Sequence, residues 1–146
     1  MGSLIEVIKD ATRRRQVVDD AATLIDSEVH DKGGLSGMAI KAAYASVKAL
    51  KPGMIQMSMD ALLDDFSARV DPFWQKCVEE KAQPRAYFSA RKGEIANALL
   101  GITDDRAKKS QHKVLKGAYE RLRPQAVDHI GAAMPRLADL IQKHAS

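Results

Sequence analysis

A glycine-rich stretch is the first place in this sequence where residue types and spacing suggest chemistry. It reads KGGLSG over residues 32–37 and leads into a run of small residues that Pro52 and Gly53 end. Glycines before a helix expose backbone amides and the positive end of the helix dipole, which together bind phosphate. The spacing fits neither the P-loop nor the dinucleotide-binding fingerprint, and no predicted strand precedes it. The stretch therefore predicts a corner between two helices.

Cations in the second half of the chain suggest a different chemistry, polyanion binding. Up to Lys81 there are 11 Lys/Arg and 13 Asp/Glu, and from Ala82 onward there are 12 and 6, a net charge of +6. Five cations share one face of their helical region: Arg106, Lys109, Lys113, Lys116 and Arg123. Such a face can bind phosphates and predicts a nucleic-acid or other polyanion site. A solvated helix face has the same pattern, and no aromatic is interleaved for base stacking, so both interpretations stay open.

Metal-binding and nucleophilic residues are scattered. The histidines are His30, His112, His129 and His144, and no HExxH pattern or Glu-x-x-His pair accompanies them. Cys77 is the single cysteine, which excludes an intramolecular disulfide, and beside Trp74 it is typical of a small core residue. No nucleophile elbow or triad pattern occurs. The sequence therefore predicts no catalytic residue, no metal site and no cofactor.

Methionines and aromatics in the middle of the chain suggest an apolar ligand site. The residues concerned are Met54, Met57, Phe73, Trp74, Tyr87 and Phe88. Methionine side chains adapt to irregular ligands, and aromatic side chains commonly line small-molecule pockets. The alternative is that the same residues simply fill the core.

Apolar periodicity predicts the elements that would position these residues. Apolar side chains recur at steps of three and four throughout, and no segment alternates with a period of two. Aromatics are only 5% of residues, and alanine, the best helix former, is abundant. We therefore expect an all-α fold, a compact bundle of about seven helices, with residues 1–146 forming a single domain.

Turn signals predict the helix boundaries. Asp71-Pro72 has the pattern of an N-cap followed by a first-turn proline, and Thr103 precedes two acidic residues that suit a helix start. Pro124 begins the last helix, whose apolar stripe continues across Pro135 and predicts a kink there. Ser36 is the expected cap of the helix after the glycine corner. That helix has small residues on several faces, which predicts a buried central position.

An internal duplication is a further possibility. A shift of 75 positions aligns Lys41, Ala43 and Tyr44 with Lys116, Ala118 and Tyr119. The same shift aligns Ile55, Met59, Leu62 and Asp64 with Ile130, Met134, Leu137 and Asp139. Amphipathic helices align by chance when shifted by whole turns, but lysine, tyrosine and aspartate are not core-pattern residues. The repeat would span about 22–70 and 97–144 and give two pseudo-equivalent three-helix units.

The N-terminus and the hydropathy profile were considered for a secretory signal and for a membrane-spanning segment. The start MGSLIEVIKD has no cationic segment before a long apolar one, so it does not predict a secretory signal. No uncharged apolar run reaches the length of a membrane span, because Lys41 and Lys48 interrupt the best candidate.

Four stretches resemble a family of short bacterial proteins known as a domain of unknown function. They are LIDSEVHDKGGLSGMAIKAAYASVKALKPGMI, LLDDFSARVDPFW, LGITDDRAKKS and AYERLRP. The likeness covers most of the chain and is most specific over residues 32–52. It implies a bacterial, cytoplasmic, stand-alone domain and assigns no catalytic residue, cofactor or partner.

These patterns favour a non-catalytic binding or protein-interaction module. Its groove would lie between the two helical halves and accept a small apolar ligand or a helix of a partner protein. The alternative is a basic module that binds nucleic acid or another polyanion through the C-terminal half. Homodimerisation through an exposed apolar face is compatible with either function.

Overall fold

A computed structural model describes residues 3–145, and all the regular structure in that range is helical. The α-helices are α1 (Leu4–Val7), α2 (Ala11–Asp31), α3 (Gly34–Lys48), α4 (Met54–Glu79), α5 (Pro84–Ala90), α6 (Lys92–Lys109), α7 (Lys113–Leu122), α8 (Ala126–Ala132) and α9 (Met134–Ala145). A short 3₁₀ turn, Arg123–Gln125, joins α7 to α8. The predicted all-α class is confirmed.

Side-chain caps begin the first two helices. The hydroxyl of Ser3 accepts a hydrogen bond from the backbone N–H of Glu6 at 3.2 Å, and the Asp10 carboxylate accepts one from Arg13 at 2.9 Å. Each cap satisfies an amide that has no partner inside its own helix. The cap at Asp10 begins α2 three residues after the end of α1.

The predicted helix start at Asp71-Pro72 is wrong, because α4 runs through both residues. Pro72 has no N–H to donate to the preceding turn, a defect that costs about 3 kcal/mol in a helix interior. The Asp71 carboxylate instead accepts hydrogen bonds from the backbone N–H of Leu4 at 2.9 Å and from the side-chain amide of Gln75 at 3.3 Å. Asp71 thus supports the first turn of α1 rather than starting a new helix.

Two boundaries in the second half also differ from the prediction. Thr103 lies inside α6, where its hydroxyl donates to the carbonyl of Leu100 at 3.2 Å, and the next helix begins only at Lys113. Near the C-terminus the chain breaks at Ala133 instead of kinking. Pro135 then falls in the first turn of α9, where a missing N–H has no cost.

The corner after α2 is confirmed, but α3 is not a buried central helix. Its N-cap is Gly33 rather than Ser36, and Gly34 has the left-handed φ of +71°. Leu35 and Met38 are 86% and 67% exposed, and the buried positions of α3 are confined to one face. Alanine suits an exposed helix as well as a packed one, so its abundance did not indicate burial.

One group of helix contacts joins α5 to α9 and α1 to α4 and α9. Buried side chains in this group include Trp74, Cys77, Tyr87, Phe88, Met134 and Ala138. A second group of contacts joins α3 to α7 and α6 to α8. The long helices α2, α4 and α6 contact helices of both groups.

Helix pairings in the two halves correspond. The pair α2–α4 has its counterpart in α6–α8, and α4–α6 has its counterpart in α9–α2. A polar contact also recurs: Tyr44 and Lys48 meet Asp26, and Tyr119 and Arg123 meet Asp104. The tyrosine and the cation obey the shift of 75 positions, and the aspartate is displaced by about one helical turn. The duplication over 22–70 and 97–144 stays a prediction, and these correspondences favour it.

Candidate functional site

A cavity of about 440 Å³, partly open to the surface, lies between the two halves of the bundle. Helices α2 and α4 form one side, and α6, α8 and α9 form the other. The wall is almost entirely hydrocarbon, and typical wall residues are Ile25, Val29, Leu63, Phe66, Ile130 and Leu137. Most of them belong to the apolar stripes that predicted the helices. The apolar faces of these helices therefore line the cavity beside the core that they also form.

Polar side chains reach the wall at only a few places, and one of these is a network between α6 and α7. The hydroxyl of Tyr119 donates to the Asp104 carboxylate and lies 2.7 Å from the hydroxyl of Thr103. Arg123 binds the same carboxylate at 2.9 and 3.1 Å and, with Tyr119, holds the pKa of Asp104 below its usual value. Burial and the adjacent Asp104 raise the pKa of Tyr119.

A second polar contact joins α9 to α2. The buried imidazole of His144 has its Nε2 atom 2.7 Å from Asp20 Oδ2, and Lys143 Nζ lies 2.8 Å from the same oxygen. The hydrogen bond from Lys143 is the main reason that the pKa of Asp20 is lowered. Lys143 Nζ and His144 Nε2 therefore both contact the same oxygen of Asp20.

A third polar region lies at the corner between α2, α3 and α8. One part of it is a network of ion pairs. Lys32 Nζ lies 3.1 Å from Glu28 Oε2, and Arg136 donates to Glu28 Oε1 at 2.9 Å. Arg136 also binds Asp31, and this contact lowers the pKa of Asp31. Lys32 Nζ further approaches the backbone carbonyl of His129 at 3.4 Å. The side chains of Glu28 and Lys32 line the cavity here with only 14% of their surface exposed.

Beside this network lies a cluster of uncharged polar groups, Ser36, Gln125 and His129, called the polar corner below. Ser36 Oγ is 2.8 Å from both Gln125 Oε1 and His129 Nε2. Burial, helped by the charge of Lys32, lowers the pKa of His129 and keeps the imidazole neutral near pH 7. A serine beside a neutral histidine can resemble a nucleophile and its base. Within residues 3–145, however, no carboxylate hydrogen-bonds this imidazole to orient it as in a triad.

The residues that the sequence singled out as a ligand site are not on the cavity wall. Trp74, Tyr87 and Phe88 are buried in the dense core, with Phe73 packed against it, while Met54 is half-buried and Met57 is 50% exposed. Met57 and Trp74 lie 17 residues apart on the single helix α4, which places them about 25 Å apart along its axis. The structure does not bring the six side chains together.

The predicted polyanion residues are divided between two helices. Arg106 and Lys109 end α6, Lys113 and Lys116 lie on α7, and Arg123 follows α7. Arg106 binds Asp65 at 3.2 Å, and Arg123 binds Asp104, whereas the three lysines are exposed. A surface groove of about 560 Å³ beside Arg106 and Lys109 is lined by acids as well as bases. The cations do not form one continuous face.

Sequence reasoning missed the polar corner. Ser36 was interpreted as a helix cap and His129 as a scattered histidine, and 93 positions separate them. Nothing local in the sequence connects the two residues. Elsewhere in the described chain, no group of three or more His, Cys, Asp and Glu residues has the geometry to hold a metal ion. Over the same range no helix is long and apolar enough to cross a membrane.

Comparison with known proteins identifies the family. The chain belongs to a family of unknown function, DUF6918, whose model matches residues 4–145. No curated protein and no solved structure matches the chain. The resemblance to an uncharacterised domain family is thereby confirmed.

Proposed function

We propose that this protein is a binding module that holds an apolar small molecule in the cavity between its helical halves. The observation that carries the proposal is a hydrocarbon-walled cavity of about 440 Å³ in a domain of only 146 residues. Small-molecule sites commonly measure about 300–1,000 Å³ and are mostly apolar. The cavity meets both criteria.

The chemistry of the wall supports an occupant. The cavity is partly open to the surface, and its wall is almost entirely hydrocarbon. Water gains little there, because an ordered water needs two to four polar partners and the wall offers few. Replacing that water with a hydrocarbon removes apolar surface from water, which is worth about 25 cal/mol per Å².

The size of the cavity suits a small molecule with a flexible chain. A flexible chain with a volume of about a dozen methylene groups fits, since each group is close in size to a water molecule of about 30 Å³.

Filling the cavity with a side chain tests the proposal. Ala21 lies on α2 at the cavity wall, so Ala21→Trp would occupy part of the space. Bound material is first extracted, and the uptake of N-phenyl-1-naphthylamine, an uncharged fluorescent probe, is then titrated. We expect the unmodified protein to bind the probe and Ala21→Trp to bind it at least tenfold more weakly. The variant should also unfold at a higher temperature in the absence of ligand, because it removes empty volume.

Gln16→Trp is the matched control for this experiment. Gln16 is exposed on the same helix and does not line the cavity. We expect this variant to bind the probe as the unmodified protein does. Equal probe binding by both tryptophan variants, or no uptake by the extracted unmodified protein, would contradict a ligand-binding cavity.

Polyanion binding through the second half remains the alternative, with weaker support. Two of the five predicted cations are neutralised by Asp65 and Asp104. The exposed cations that remain are Lys109, Lys113 and Lys116, on two different helices. Three separated lysines give a smaller counterion-release gain than a continuous face of five.

A further inference from the structure

Helix α3 exposes an apolar stripe that nothing else in residues 3–145 covers. Leu35, Met38, Ala42 and Ala45 recur at steps of three and four, and all four are exposed. Leu35 and Met38 are the most exposed large hydrophobic side chains of the described chain, at 86% and 67%. Single exposed apolar residues are ordinary, but neighbouring ones on one face mark an interaction surface.

The fold itself does not require this stripe to be apolar. The shift of 75 positions aligns its four residues with Ser110, Lys113, Gly117 and Glu120, at and just before α7. Those residues have the composition of an ordinary solvated helix face. The same bundle therefore tolerates polar side chains at the corresponding positions. Packing inside the protein does not account for the stripe on α3.

The two segments of the chain that are poorest in acids come together at this surface. Residues 32–59 contain four lysines and no acid, and residues 106–127 contain seven cations and one acid. These segments carry net charges of +4 and +6, whereas the whole chain carries +4, so the rest of the chain carries −6. Helix α3 packs on α7, and Ser36 Oγ lies 2.8 Å from Gln125 Oε1 just after the end of α7. Positive charge is thus concentrated on the α3–α7 side of the bundle.

Exposed cations accompany the apolar stripe on both helices. They are Lys41 and Lys48 on α3 and Lys113, Lys116 and Arg121 on α7. Of these five, only Lys48 makes an ion pair in the described residues, with Asp26 at 3.5 Å. Glu120 is the single acid in the two helices. The stripe and the five cations together are called the α3–α7 face below.

The chemistry of the α3–α7 face selects among possible partners. A second copy of the chain would bring like charges together, which opposes association. A helix of a partner protein needs a groove, and a leucine that is 86% exposed has no walls beside it. Nucleic acid would meet the cations but would leave Leu35 and Met38 against a charged backbone. An anionic lipid surface suits both parts, because apolar side chains enter the acyl boundary while lysines stay at the head groups.

We propose that the α3–α7 face docks this protein on an anionic lipid bilayer, with Leu35 and Met38 inserted below the head groups and the cations at the lipid phosphates. Ile40 lies on the buried side of α3 and lines the cavity, so α3 stands between the docked surface and the cavity. No residue of the α3–α7 face lines the cavity. The inference therefore stands apart from the proposed function.

Co-sedimentation with lipid vesicles tests the proposal. Vesicles of phosphatidylcholine alone are compared with vesicles that contain about 30% phosphatidylglycerol. We expect at least tenfold tighter binding to the anionic vesicles, since each lysine near such a surface contributes about 1 kcal/mol, or about fivefold. Raising the salt concentration should weaken this binding, because ions screen the attraction. Equal binding to the two kinds of vesicle, or no binding to the anionic ones, would overturn the proposal.

Substitutions at exposed positions assign the binding to the α3–α7 face. Leu35→Ser should weaken binding to the anionic vesicles about tenfold, because an inserted leucine loses contact with water. Lys113→Gln should weaken it about fivefold. The matched controls are Ile5→Ser and Lys76→Gln, at exposed positions on α1 and α4. Melting curves verify that all four variants fold. Losses as large for the controls as for Leu35→Ser and Lys113→Gln would overturn the role of this face.

Two further measurements separate the lipid surface from other partners. A DNA duplex that binds as tightly as the anionic vesicles, with no loss in Leu35→Ser, would make the face a polyanion site and overturn the proposal. A dimer in solution that Leu35→Ser dissociates would assign the stripe to a second copy and also overturn it. We expect neither result. Uptake of the apolar probe by the cavity should be unchanged in Leu35→Ser, so loss of vesicle binding leaves the proposed function intact.

Discussion

At the scale of single residues, ion pairs in this protein connect helices that are distant in sequence. Arg14 on α2 binds Asp60 and Asp64 on α4, and Arg85 on α5 binds Asp139 on α9. Most of these groups are substantially exposed, and exposed ion pairs contribute about 0–1 kcal/mol each. They fix the register between helices more than they stabilise the fold.

Asp104 is the residue at which the stability contributed by an ion pair is best measured. It binds both Arg123 and Tyr119 and is only about one-third exposed. Its lowered pKa means that the folded protein resists protonating it. The stability it contributes is therefore present above the ordinary pKa of about 3.9 and is lost as the pH falls below that value. We expect Asp104→Asn to destabilise the protein by about 1 kcal/mol at pH 7 and by much less at pH 3. Urea unfolding at the two pH values measures this difference.

The control for Asp104→Asn is the neighbouring substitution Asp105→Asn. Asp105 is exposed, and no ion pair to it occurs in the described residues. It should change stability by less than about 0.5 kcal/mol at either pH. A loss for Asp104→Asn that is the same at pH 7 and pH 3 would show that its charge is not what stabilises the contact.

Residue-scale contacts were the least predictable from sequence. Ser36 and His129 lie on α3 and α8, and their contact depends on how two helices distant in the chain come together. The only sequence signal related to the Tyr44 and Tyr119 contacts was the possible duplication, in which the two tyrosines align. A polar side chain that contacts a residue distant in sequence does not change the hydrophobic periodicity of its own segment, so the contact cannot be predicted from that pattern.

At the scale of elements, the corner between α2 and α3 depends on a close approach of backbone. A Cβ atom on Gly37 would lie 2.7 Å from the carbonyl carbon of Lys32 and 2.8 Å from its oxygen. Neither backbone atom can move without shifting the end of α2. The glycine at position 37 is therefore required by the close packing of the corner, and the corner positions Lys32 and Ser36 beside the cavity.

Gly37→Ala tests this close approach. We expect a loss of about 2–3 kcal/mol in the free energy of unfolding, the size of an overpacked contact. Gly101→Ala is the matched change, because Gly101 lies within α6 and an added Cβ there meets nothing within 4 Å. It should stabilise by about 0.5–1 kcal/mol, since alanine is the better helix former. Chemical denaturation of both variants checks the pair, and tolerance of alanine at position 37 would contradict the close approach.

Helices were predicted well and their ends less well. Periodicity gave the existence of the long helices, because a buried face must recur every three to four residues. Asp71-Pro72 and Thr103 are typical of helix starts, yet both lie inside helices. In each case tertiary packing outweighed the local signal: Asp71 accepts a hydrogen bond from α1, and Thr103 contacts Tyr119 on α7.

At the scale of the whole molecule, a densely packed core adjoins the cavity. Trp74 and Phe88 are almost fully buried in that core. Met134 belongs to the same core and also lines the cavity, together with apolar residues of α2, α4, α8 and α9. A stripe has the same spacing whether it meets another helix or a bound molecule. The sequence could therefore predict a groove between the halves, but not which residues line it.

The central claim is that the cavity holds an apolar small molecule. Native mass spectrometry of the protein as purified, followed by spectra in denaturing solvent, tests it most directly. We predict a native mass above that of the polypeptide, an excess lost on denaturation, and a melting temperature that falls when the bound molecule is extracted. A native mass equal to that of the polypeptide, together with no uptake of any apolar probe, would contradict it.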